Sequence, residues 1–130
     1  MFANAETKWA VLAAVDALLS AIANGQLNEA MACFADGADV QFMGSEKGET
    51  FTGAAAIRAQ LAMFFAEPYR IVFDFPERRV SAAGNVAWFT GEGSYRLTTG
   101  PEEFPYRLIA ILERRRERWL WQVFDGSEPR

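Results

Sequence analysis

Glu92, Arg107 and Asp125 are the residues of this 130-residue sequence best placed to do chemistry. Each belongs to a different one of three neighbouring strand-like stretches, and strand alternation could bring all three together as an acid–arginine–acid cluster. In apolar surroundings the two acids would differ in protonation. One would act as base on water or a carbon acid and the other as proton donor, with Arg107 holding the base ionised. The competing reading is a structural ion pair, in which Arg107 neutralises Glu92 or Asp125 inside a sheet without catalysis.

The sequence contains no histidine. Ser-His and Cys-His nucleophile activation and histidine-ligated metal sites are therefore excluded, and carboxylates, Arg, Tyr and backbone groups remain. Neither a metal nor a cofactor is expected. The single cysteine, Cys33, sits among apolar residues, so no intrachain disulfide can form, and a buried, inert thiol in a reducing cytoplasm is the expectation. A net charge of −4 argues against nucleic acid and anionic lipid as partners. Residues 1–4 carry no basic segment, and the apolar stretch 9–23 is broken by Asp16 and Ser20, which reads as neither signal peptide nor membrane span.

The elements that must position these residues follow from spacing. Val11, Val15, Leu18 and Ile22 recur at helical intervals before Gly25, which predicts a helix over 6–24, with Trp9 and Asp16 together at one edge of its apolar arc. Leu27, Met31 and Phe34 mark a shorter helix, 38–43 a strand, and 44–52 a polar loop. Gly53 opens a third helix with Ile57, Leu61, Phe64 and Phe65 on its apolar face, ending before Pro68. Stretches 69–80, 86–97, 103–114 and 119–124 are rich in β-branched and aromatic residues and separated by short turns, an antiparallel meander. The run 114–118, with four arginines, reads as a solvated hairpin turn, and Gly91 and Gly93 as a bend in the sheet. One α+β domain over 1–130 results, with helices on one face of a curved sheet. Residues 108–112 are apolar on both alternating faces, so the face without helices is expected to be a subunit interface, most simply of a homodimer.

Gly44-Ser45-Glu46 with Glu49-Thr50-Phe51-Thr52-Gly53, Val80-Ser81-Ala82-Ala83-Gly84-Asn85-Val86-Ala87-Trp88, Pro105-Tyr106-Arg107-Leu108 with Leu112-Glu113-Arg114, and the ending through Gly126-Ser127-Glu128-Pro129 together resemble the SnoaL-like branch of the nuclear-transport-factor-2-like superfamily. The resemblance implies a cone-shaped barrel, usually dimeric, in which three N-terminal helices pack on a strongly bent, mainly antiparallel sheet that wraps a pocket. Many activities share that fold. Near relatives often carry histidine where this chain has Asp125.

Gly25-Gln26-Leu27, Phe34-Ala35-Asp36 and Ala55-Ala56-Ile57-Arg58 also resemble the ketosteroid isomerases of the same superfamily. Their oxyanion tyrosine, general-base aspartate and protonated aspartate fall on Leu18, Phe42 and near Ile109, all apolar, so that mechanism is not available at those places. The same alignment implies that the face carrying Val86, Trp88, Thr90, Glu92 and Ser94 lines the cone, with Arg107, Ile109 and Ile111 beside it and Trp119, Trp121, Val123 and Asp125 on the last strand. The cluster then resembles in outline the carboxylate–Arg–carboxylate site of limonene epoxide hydrolase, with Ile109 where that enzyme has its second acid. Trp88, Thr90, Ile109, Trp121, Phe42 and Met43 would form the ligand wall and Trp9 with Asp16 its mouth, against the plainer reading of aromatic core and solvated carboxylate. Two functions of different class follow. One is a cofactor-independent isomerase, cyclase or hydrolase using carboxylate acid–base chemistry on a mostly apolar or aromatic small molecule. The other is a noncatalytic homodimeric binding or association module.

Overall fold

The computed structural model describes residues 2–129. Helix α1 (Ala5–Asn24) begins at Asn4, whose side-chain oxygen accepts the Thr7 N–H at 2.8 Å. It stops at Gly25, which adopts a left-handed φ of 65° and donates its N–H to the carbonyls of Ala21 and Ile22. Val11, Leu12, Val15, Leu18 and Ile22 are buried along one arc, as their spacing predicts.

A short α2 (Leu27–Ala32) leads to β1 (Gln41–Met43), β2 (Thr50–Thr52) and α3 (Ala54–Phe65). The polar loop expected over 44–52 is shorter than that. Thr50, Phe51 and Thr52 have the branched and aromatic side chains that favour extended backbone, and they pair antiparallel with β1, the Gly44 N–H donating to the Glu49 carbonyl at 2.7 Å.

The meander consists of β3 (Ile71–Ala83), β4 (Val86–Leu97), β5 (Glu103–Arg115) and β6 (Arg118–Ser127). The sheet order is β2-β1-β6-β5-β4-β3, antiparallel throughout except for the parallel pair of β1 with β6. The architecture is the expected α+β cone fold, with the sheet left open rather than closed into a barrel; its edges are β2 and β3, and Pro76 is tolerated because β3 is an edge.

Two irregularities bend the sheet. In β3 the register shifts between Asp74 and Glu77, opposite Glu92 and Gly93. In β6 the shift leaves Gln122 without a partner, since Ile111 faces Val123 while Leu112 faces Trp121. The helices cover the face that carries Ala87, Phe89, Leu108, Ala110 and Leu112, all fully buried. Among the described residues, no helix is long and apolar enough to cross a membrane.

Candidate functional site

On the helix-covered side, a cavity of about 300 Å³ lies between α3, the β1–β2 hairpin and the inner face of the meander. Its walls are chiefly aromatic. Phe42 and Phe51 come from the hairpin, Phe64 and Leu61 from α3, Tyr69 from the segment between α3 and β3, Phe73 from β3, and Tyr95, Tyr106 and Phe124 from β4, β5 and β6. These rings also hold one another: Phe42 stacks on Phe124 with centroids 4.3 Å apart, Phe73 meets Tyr106 at 5.3 Å, and Tyr95 packs edge-on to Tyr106 at 5.3 Å. Each such pair adds about 0.5–1.5 kcal/mol beyond its buried area.

Two glycines make room for the tyrosines. Tyr106 faces Gly93 across the strand pair, and a Cβ on Gly93 would overlap the Asp74 carbonyl, so the glycine lets β3 close over this end of the sheet. A Cβ on Gly126 would overlap the Tyr106 ring and hydroxyl.

The polar groups are few and acidic. Just beyond β6, Glu128 accepts a hydrogen bond from the Tyr95 hydroxyl at 2.5 Å. Glu49 accepts the Glu46 backbone N–H at 2.8 Å, which braces the hairpin loop, and both glutamates reach the cavity beside Gln60 and Ser45. Among the described residues, no lysine or arginine lines it. Burial and then the hydrogen bond and charge of Glu128, with smaller contributions from Glu46 and Glu49, push the Tyr95 phenol up to about 12. Burial, helped by Glu128 and Glu49, raises the Tyr106 phenol further. Both phenols therefore stay protonated over the physiological range and can donate hydrogen bonds, whereas the cavity disfavours a new negative charge.

The residues expected to form the site are placed differently. Phe42 does line the cavity. Met43, adjacent to it, pairs with Thr50 and Asp125 and is absent from the wall. Glu92 and Arg107 do meet, Arg107 Nε to Glu92 Oε1 at 3.1 Å, but both side chains are more than half exposed. Their face is the outer one, with Trp88, Thr90 and Ile109, because the helices pack against the alternate set that includes Ala87, Phe89, Leu108, Ala110 and Leu112. The expectation that this face lines the cone is thus corrected.

Asp125 lies between inward-facing Phe124 and Gly126 and so points outward, and among the described residues no ion pair links it to Arg107. The β6 bulge separates Trp121 from Val123 and Asp125. Trp121 turns into the core, completely buried, and its indole N–H donates to the Ala14 carbonyl of α1 at 3.1 Å. Trp9 is exposed, and Asp16 pairs with Arg78 of β3 at 2.5 Å, tying α1 to the sheet and not closing the cavity mouth. Cys33 is half-buried, and burial raises its thiol pKa.

The residues missed by sequence reasoning are Tyr95, Tyr106, Glu49 and Glu128. Tyrosine had been retained as a chemically competent type, and Tyr95 and Tyr106 share the face of Phe89 and Leu108 by simple alternation, a signal that would have found them.

A family model described as the SnoaL-like domain matches residues 11–124. No curated protein matches the sequence. Among solved structures, a candidate dehydratase of the NTF2-like family from Streptomyces avermitilis superposes with a TM-score of 0.86 at 17% identity, covering 98% of this chain and 99% of that one. An NTF2-like protein of unknown function from Pseudomonas putida KT2440 gives 0.85 at 17% identity, with coverages of 97% and 89%. A candidate aromatic ring hydroxylase from Novosphingobium aromaticivorans gives 0.80 at 15%, with coverages of 98% and 92%. At these identities the likeness is one of fold. The family match over most of its length, with the open, bent sheet beneath the helices, identifies this chain as a member of the SnoaL-like family, with a fold like that of NTF2-like proteins.

Proposed function

We propose that this chain takes a mostly apolar, ring-bearing small molecule into the aromatic cavity and acts on it by cofactor-independent carboxylate acid–base chemistry. Glu128 is the proton acceptor, and Tyr95 is the phenol that orients it. The observation that carries this reading is the Tyr95–Glu128 hydrogen bond in a wall rich in aromatic rings. A carboxylate there can take a proton from bound water, or from the carbon beside a developing cationic centre, and return it at a second position, which conserves atoms in an isomerisation, a cyclisation or a water-adding or water-losing step. The acidic surroundings favour steps that build positive charge on the substrate over those that build an enolate.

Screening ring compounds by thermal shift supplies a ligand for the test. Glu128→Gln then lowers its turnover by at least about a hundredfold, the lower end of general acid–base contributions, and Tyr95→Phe lowers it less. Unchanged turnover in Glu128→Gln removes the catalytic assignment and leaves a binding module.

A second reading, homodimerisation through the outer face of the sheet, is favoured by a separate observation. Val86, Ile109 and Ile111 are 41%, 45% and 37% exposed on that face, beside Trp88 and the Glu92–Arg107 pair. Sedimentation equilibrium tests it directly, with a dimer expected at micromolar concentration.

A further inference from the structure

We propose that the cavity is selective for a hydrophobic amine, a protonated ammonium group carried on an aromatic body. This rests on the reading that the cavity is the ligand site, and it specifies the sign of charge accepted there.

The wall joins two features that act together on a cation. Rings of Phe42, Phe73, Tyr95 and Tyr106 line one half-open space, and a cation within about 6 Å of such a ring is attracted by its quadrupole, more strongly when desolvated. Glu46, Glu49 and Glu128 add three carboxylates, and among the described residues no basic side chain lines the wall; Lys47, between two of them in sequence, is exposed and does not line the cavity.

A further group points to a ligand. Tyr106 is only 7% exposed and reaches the cavity, where its hydroxyl lies against Gly126. A phenol oxygen at the cavity wall can accept a hydrogen bond from an ammonium N–H. The carboxylates are spread around the space rather than gathered for coordination: among the described residues, no group of three or more His, Cys, Asp or Glu is placed to hold a metal ion. An organic cation, whose charge is diffuse and whose body is apolar, fits this arrangement better than a compact inorganic one. Burial first, and then the same carboxylates, raise the phenols of Tyr95 and Tyr106.

The test uses three probes of one skeleton, naphthylmethylammonium, naphthylmethanol and naphthoate, titrated by calorimetry at neutral pH. The ammonium is expected to bind about tenfold more tightly than the alcohol, as a desolvated cation–π contact permits, and the naphthoate weakest. In the double variant Glu49→Gln, Glu128→Gln the ammonium-to-alcohol ratio is expected to fall close to one. Equal binding of alcohol and ammonium, or a preference that survives the double variant, overturns the charge selectivity while leaving the cavity as a ligand site. Failure of all three probes to bind overturns both. Leu97→Trp, which fills part of the wall, is expected to weaken all three alike, and unweakened binding in that variant places the probes elsewhere and overturns the proposal.

Discussion

Tyr95 shows how one side chain reports the field of the whole cavity. A phenol ordinarily titrates near pH 10, and here burial and Glu128 hold it at about 12. Replacing Glu128 by Gln removes both the hydrogen bond that favours the neutral phenol and the nearest negative charge. A phenolate-absorbance titration is therefore expected to show one tyrosine moving down toward pH 10 in Glu128→Gln, with part of the elevation remaining because burial is its largest cause. The linkage has a definite sign. The native protein keeps a proton on Tyr95 that the unfolded chain releases above pH 10, so the stability this group contributes is complete below pH 10 and lost as pH rises toward 12. Urea midpoints measured across that window are expected to fall less steeply for Tyr95→Phe than for the parent. Parallel declines would mean that Tyr95 titrates alike in both states.

At the level of elements, the helices and meander were legible because their signals are periodic and long. The spacing from Val11 to Ile22, the stop at Gly25 and the turn at Gly84-Asn85 each have one physical reading. The facing of the strands was less so. Residues 108–112 are apolar on both sides, which removes the contrast that ordinarily tells inside from outside. Phe89 and Tyr95 mark the inner face of β4, but Gly91 and Gly93 between them leave it looking empty. In β6 the unpaired Gln122 reverses the alternation partway along, so no fixed period could place both Trp121 and Asp125.

Gly93 also makes the bend testable. A methyl group there would press on the Asp74 carbonyl, backbone that can move only by undoing the β3 irregularity. Gly93→Ala is expected to cost about 2–3 kcal/mol and to lower the melting temperature by roughly 5–10 °C. A change within about 0.5 kcal/mol would show that β3 flattens without penalty.

Across the whole molecule, the two faces of the sheet divide the work. The inner face holds core and cavity. The outer face sets the Glu92–Arg107 ion pair beside the branched aliphatic side chains of Val86, Ile109 and Ile111, where a solvated sheet would carry polar ones. Ile109 lies at the middle of that face, between Thr90 of β4 and Asp125 of β6. Since it is nearly half exposed in the isolated chain, Ile109→Glu should leave the fold of one subunit almost unchanged. In a twofold dimer the same glutamate would be buried twice, close to its own copy and to Asp125, an unpaired charge in an apolar interface. The variant is expected to raise the dimer dissociation constant by at least about a hundredfold, following the 3–5 kcal/mol typical of uncompensated buried charge. The parent should melt at higher temperature as its concentration rises, and the variant should lose that dependence. A parent that sediments as a monomer at every concentration tested would mean that the exposed isoleucines serve some other contact.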